Sequence, residues 1–147
     1  MKLFIYYSFT GSVDSIASKL KEQGYDLRRV IEKKKMPKSF FFSVLIGGFR
    51  AGMKQKGKLI DYNSDVSQYD EIVIGSPIWN GRFPPAINSV LALTELKDKK
   101  VTFVFSSGSG EGAKAKEWIE KNMPNASIIF LKEAKKNPQE LEKIKHL

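Results

Sequence analysis

The stretch Leu3-Phe4-Ile5-Tyr6-Tyr7-Ser8-Phe9-Thr10-Gly11-Ser12-Val13 joins an apolar run to a loop rich in hydroxyls. The apolar part reads as a strand. Beyond the loop, Ile16, Ala17 and Leu20 mark the inner stripe of a helix that ends near Gly24, a residue suited to the left-handed position after a last turn. Strand, polar loop and helix together form the repeating unit of a parallel sheet, and the unit recurs along the chain. Tyr25 to Ile31 is the expected second strand, Ile72 to Gly75 the third, Val101 to Phe105 the fourth and Ala126 to Leu131 the fifth. Pro84-Pro85 opens a helix carrying Ile87, Val90, Leu91 and Leu93, Glu111 to Asn122 reads as another, and Pro138 to Ile144 starts a closing helix. Within the basic stretch Lys33 to Lys58, the run Ser39-Phe40-Phe41-Phe42 followed by Val44, Leu45, Ile46, Phe49 and Met53 predicts a short helix.

Strands alternating with helices predict a doubly wound α/β fold, a five-stranded parallel sheet covered on both faces. Ligands of such sheets bind at the carboxyl ends of the strands, so the loops after the first, third and fourth strands are where chemistry is sought. With 147 residues, 41% of them hydrophobic, the chain reads as a single domain spanning 1–147.

Cysteine is absent, which excludes disulfides, thiolate metal sites, iron–sulfur clusters and Cys nucleophiles, and is compatible with the expected cytoplasmic location. Met1 to Tyr7 is too short for a signal peptide, and Phe40 to Phe49, interrupted by Ser43, Gly47 and Gly48, falls short of the roughly 20 residues that cross a bilayer. No membrane span is expected. The net charge of +9 favours acidic partners without choosing among nucleic acid, an anionic membrane, an acidic protein and a phosphorylated ligand.

Each of the three loops reads in two ways. Ser8 to Val13 places Ser8, Thr10, Gly11 and Ser12 at a helix N-terminus, where free N–H groups and the helix dipole favour a phosphate; the same residues suit an ordinary cap by Thr10 or Ser12. In Pro77-Ile78-Trp79-Asn80-Gly81 the indole can stack on a planar ring or pack against its own loop, and Asn80-Gly81 can reach positive φ angles. Ser107-Gly108-Ser109-Gly110 either lets backbone amides approach a ligand closely or forms a flexible turn before a helix. It is neither a dinucleotide fingerprint nor a Gly-Lys-Ser/Thr phosphate loop.

Missing residues exclude neighbouring chemistries. The first and third strands end in Tyr-Tyr-Ser and Gly-Ser-Pro, without the acidic residues of phospho-receiver domains, and the first loop lacks the Cys of a small tyrosine phosphatase. The one histidine, His146, lies in the tail, which argues against a Ser-His-Asp hydrolase or a histidine metal site.

Taken together and in this order, the loops resemble those of the flavodoxin family, whose phosphate loop is typically Ser/Thr-x-Thr-Gly-x-Thr. Here it reads Ser8-Phe9-Thr10-Gly11-Ser12-Val13, with Val13 in place of the last hydroxyl. Gly75 to Gly81 with the following Pro84-Pro85 looks like the second flavin loop, and Ser106 to Gly110 like the third. The resemblance covers nearly the whole chain and implies a flavodoxin-like sheet of strand order 2-1-3-4-5. It also implies FMN held without a covalent bond, its phosphate at Ser8, Phe9, Thr10, Gly11, Ser12 and Val13. Pro77, Ile78, Asn80, Gly81 and Ser107 to Gly110 would border the flavin, with Trp79 stacked on it.

On that resemblance the protein transfers electrons through the flavin, no side chain serves as catalytic acid or base, and no metal is needed. Redox partner proteins are expected to present acidic surfaces, since electron-shuttling flavodoxins are usually acidic and this chain is basic; no oligomeric state follows. Two other readings stand beside it. One is an FMN-dependent NAD(P)H or quinone-type reductase. The other is a flavin-free basic module in which Arg28-Arg29 through Lys58 contact nucleic acid or membrane.

Overall fold

Residue period along the strands explains how one sheet buries both of its faces. In β1 (Lys2–Tyr6), Leu3 and Ile5 face one core while Phe4 and Tyr6 face the other, as alternation on a pleated strand requires. The structure, a computed structural model, describes residues 1–33 and 57–147. The short helix expected between Ser39 and Met53 lies outside them.

After β1 come α1 (Ser12–Glu22), β2 (Asp26–Arg29), β3 (Glu71–Pro77), α2 (Pro85–Leu93), β4 (Lys100–Ser107), α3 (Ala113–Asn122), β5 (Ser127–Lys132) and a 3-10 helix (Pro138–Ile144). All four strand pairings are parallel, in the order β2-β1-β3-β4-β5. This is the doubly wound, flavodoxin-like architecture that the sequence predicts. The closing helix expected from Pro138 is present as a seven-residue 3-10 segment that the proline itself opens.

On one face Leu3, Ile5, Ile72, Ile74, Phe103 and Phe105 pack with Ile87 and Val90 of α2 and Ile119 of α3. On the other, Phe4, Val73 and Val104 pack with Val13, Ile16 and Leu20 of α1 and with Ile144. Gly75 is needed on the second of these faces, because a Cβ there would collide with the Phe4 ring and crowd Val13. Its register partner is Tyr6. The α1 helix ends in a Schellman motif: Gly24, at φ 86°, donates to the Lys21 carbonyl, and Tyr25 donates to that of Leu20. The glycine expected to stop this helix does so by taking the left-handed conformation.

Candidate functional site

Sheet register brings the three loops to one edge. Tyr6 lies beside Gly75, Pro77 beside Ser106, and Ser107 beside Lys132, so the chain leaves β1, β3 and β4 at a common level.

The first loop turns into α1 at Gly11, whose φ of 86° makes it the N-cap residue. No side chain caps the helix. Capping by Thr10 or Ser12 is therefore corrected: both hydroxyls stay clear of the helix amides because the chain enters through a left-handed glycine. Among the described residues, no backbone acceptor takes the N–H groups of Ser8, Phe9, Thr10 or Gly11. Ser8 is buried at 8% exposure, and its Oγ has no hydrogen-bond partner among the described residues. A buried unpaired hydroxyl beside unpaired amides and the positive end of a helix dipole fits an anionic group and is unfavourable without one. Val13 is different. Its side chain is fully buried in the core near Gly75, so only its backbone N–H is left to offer.

The second loop is a tight hairpin. Trp79 and Arg82 exchange backbone hydrogen bonds of 3.0 Å in both directions, with Asn80 at φ 51° and Gly81 at φ 72°, the signs of a type I′ turn. Trp79 is half-buried and meets Tyr7 and Phe9 of the first loop edge-to-face, with ring centroids 5.9 and 5.7 Å apart. It thus ties two loops together rather than packing on its own. Pro77 is buried as the last residue of β3.

The third loop is closed by its own hydroxyls. Ser107 Oγ donates to the Glu111 carbonyl at 3.0 Å, and Ser109 Oγ accepts from the Glu111 N–H at 3.2 Å. Gly110, at φ 75°, rests against Lys132. A Cβ added at Gly108 would meet only open space. Ile78, Asn80, Gly81, Ser107, Gly108 and Ser109 line one cleft of about 330 Å³, with Glu111 as a charged member of the lining. A larger groove of about 710 Å³ runs between α2 and α3 over Phe83 and Trp118. It lacks the convergent amides and hydroxyls of the loop edge.

Sequence reasoning missed one residue. Lys135, on the turn after β5, donates to the Thr10 carbonyl at 3.3 Å across 125 positions of chain. No local pattern signals it. Nearby, Arg29 pairs with Asp14 at 3.0 Å, and burial raises the Tyr6 phenol above its ordinary value, with Arg29 opposing. Tyr6 stays neutral across the physiological range. The two arginines assigned to a basic module are engaged within the fold, Arg29 with Asp14 and Arg28 with the carbonyls of Asn63 and Asp65.

A model of the family described as flavodoxin matches residues 51–143. The chain belongs to the flavodoxin family. No curated protein matches it. Among solved structures, a Bacteroides eggerthii protein provisionally described as a flavoprotein is 22% identical over 94% of each chain, with a TM-score of 0.72. A flavoprotein of Lactobacillus acidophilus NCFM, crystallised with FMN, is 21% identical over 94% of this chain and 96% of its own, with a TM-score of 0.70. Oxidised flavodoxin 1 of Bacillus cereus is 17% identical over 99% of this chain and 98% of its own, at 0.51. These likenesses extend the flavodoxin fold to nearly the whole chain. Among the described residues, no helix is long and apolar enough to cross a membrane, and no group of His, Asp and Glu is arranged to hold a metal.

Proposed function

We propose that this protein holds FMN without a covalent bond at the carboxyl edge of its sheet and passes electrons through it to and from redox partner proteins. The observation that carries the reading is the first loop, where the buried Ser8 hydroxyl and the amides of Phe9, Thr10 and Gly11 have no partner among the described residues. Those groups would hold the phosphate, with the start of α1 behind them. Ile78, Asn80, Gly81 and the Ser107–Gly110 backbone would border the ring, and Trp79, fixed by Tyr7 and Phe9, would present the indole to it. When bound, the flavin supplies the electron-accepting and electron-donating chemistry.

The chain's residues then have three tasks: fixing the phosphate, excluding water from one side of the ring, and setting the local field. The net charge of +9 favours added negative charge in the site, so the midpoint potential is expected above that of acidic flavodoxins. The start of α3 constrains how Asn80 and Gly81 can turn, because the Gly81 carbonyl accepts from the Ala115 N–H at 2.8 Å.

The test is an absorbance spectrum of the purified protein before and after adding FMN and removing the excess. Retained flavin bands near 375 and 450 nm (about these values for a bound flavin) are the expected result. Failure to retain flavin at micromolar FMN would remove the redox reading.

A further inference from the structure

Lys135 is the positive charge that the described chain brings to the first loop from elsewhere. Its Nζ donates to the Thr10 carbonyl at 3.3 Å and lies 3.5 Å from where a Cβ on Gly11 would stand. It therefore sits beside the N-cap residue of α1, at the mouth of the unpaired amides. Asp14 also reaches this point, its Oδ2 lying 3.7 Å from the same Cβ position, but Arg29 already pairs with that carboxylate. Among the described residues, no carboxylate pairs with Lys135, whereas the adjacent Lys136 pairs with Glu133 at 3.0 Å.

The backbone that presents Lys135 is fixed. Glu133, at φ 43°, donates to the Ser107 carbonyl at 2.9 Å. Buried Ala134 donates to Ser106 Oγ at 3.2 Å, and Lys136 and Asn137 both close back on the Glu133 carbonyl. The turn is thus anchored on the end of β4, the strand that also carries the third loop. A long, exposed side chain on a pinned backbone can swing from a carbonyl to a better acceptor at little entropic cost beyond its own rotamers.

We infer that Lys135 is a phosphate-recognition residue, exchanging the Thr10 carbonyl for the terminal phosphate of the flavin and so selecting FMN over flavins that lack a phosphate. The inference rests on the FMN reading above. It assigns to the turn after β5 a charge that the Ser8–Val13 loop does not contain. It also supplies a donor to offset the absence of a hydroxyl at Val13, whose side chain is committed to the core.

The test compares FMN and riboflavin affinities, by quenching of flavin fluorescence, for the unaltered protein, Lys135→Met and Lys136→Met at low and high salt. Lys135→Met is expected to weaken FMN binding about fivefold at low salt, to leave riboflavin unchanged, and to flatten the salt dependence of FMN binding. Lys135→Arg should restore the affinity, and Lys136→Met should bind FMN as the unaltered protein does. Matching melting temperatures of the flavin-free variants would separate recognition from folding. Equal FMN affinity in Lys135→Met and the unaltered protein would overturn the inference while leaving FMN binding standing. If the unaltered protein binds neither flavin, both the inference and the FMN reading fall.

Discussion

The two ends of the sheet are finished in different ways. At the amino-terminal end, the Met1 ammonium meets Asp70 at 2.8 Å, Lys100 meets Glu71 at 3.1 Å, and Tyr69 donates its hydroxyl to Asp26 at 2.9 Å. The Lys99 ammonium donates to the Tyr69 carbonyl at 2.7 Å, and the Tyr62 and Thr94 hydroxyls pair at 2.7 Å. At the carboxyl end, Ser8 Oγ and a run of backbone amides have no such partners among the described residues, and Gly108 faces open space. The chain closes one end of the sheet with its own side chains and leaves polar groups unpaired at the other, the end that the proposed FMN would complete. Stability should therefore reside at the first end and recognition at the second, and substitutions can separate the two.

The largest expected effect is at Trp79. Removing the indole in Trp79→Ala should weaken FMN binding by about 2 kcal/mol, roughly thirtyfold, as loss of an aromatic stacking partner does; a flavin titration measures it. Ser8→Ala should act in opposite directions on the two properties. Deleting a buried hydroxyl that has no partner should leave the flavin-free protein as stable or up to about 1 kcal/mol more so, while FMN affinity falls about tenfold. Parallel loss of stability and affinity would mean that Ser8 serves the fold instead. Tyr62→Phe is the counterpart at the closed end. It strands the buried Thr94 hydroxyl and should lower stability by about 1 kcal/mol in a denaturant titration, with flavin affinity untouched.

The smallest effect is a pH slope. Burial, with Glu71 adding to it, pushes the Tyr25 phenol up to about 12. The folded chain then keeps a proton that the unfolded chain releases near pH 10 (about the ordinary tyrosine value). Stability is therefore complete below that pH and declines as pH rises toward the folded value. Tyr25→Phe should flatten this decline, as read from denaturation midpoints across the interval. Flavin binding at neutral pH should not change.

The fold was legible because the central strands are written as short, mostly apolar runs, with Thr102 the one polar residue between Val101 and Phe105. Ile72 to Gly75 and Val101 to Phe105 are buried on both faces, and Pro85 opens α2 where a proline loses no hydrogen bond. The Asn80-Gly81 turn was legible for a similar reason, since few residue pairs take two positive φ angles in succession. What escaped depends on geometry that a linear reading lacks. Ser8, Thr10 and Ser12 look alike in sequence, yet Ser8 alone of the three is buried with an unpaired hydroxyl, and none of them caps α1. Ser107 and Ser109, expected at the border of the ligand, also hold their own loop shut through their hydroxyls, a role that a linear reading does not show. Nothing in the sequence around Lys135 sets it apart from Lys132 or Lys136, because the carbonyl it meets is 125 residues away.

That separation also bears on the order of events during folding. The first loop forms early in the chain, the hairpin at Trp79 needs β3, and the third loop needs β4, but the pinned turn that carries Lys135 exists only after β5 has docked. Closing so long a loop is a late and slow step relative to local helix formation. A nascent chain therefore completes this end of the sheet only once β5 and the turn after it have docked, and a cofactor held there would join an assembled sheet rather than guide its assembly.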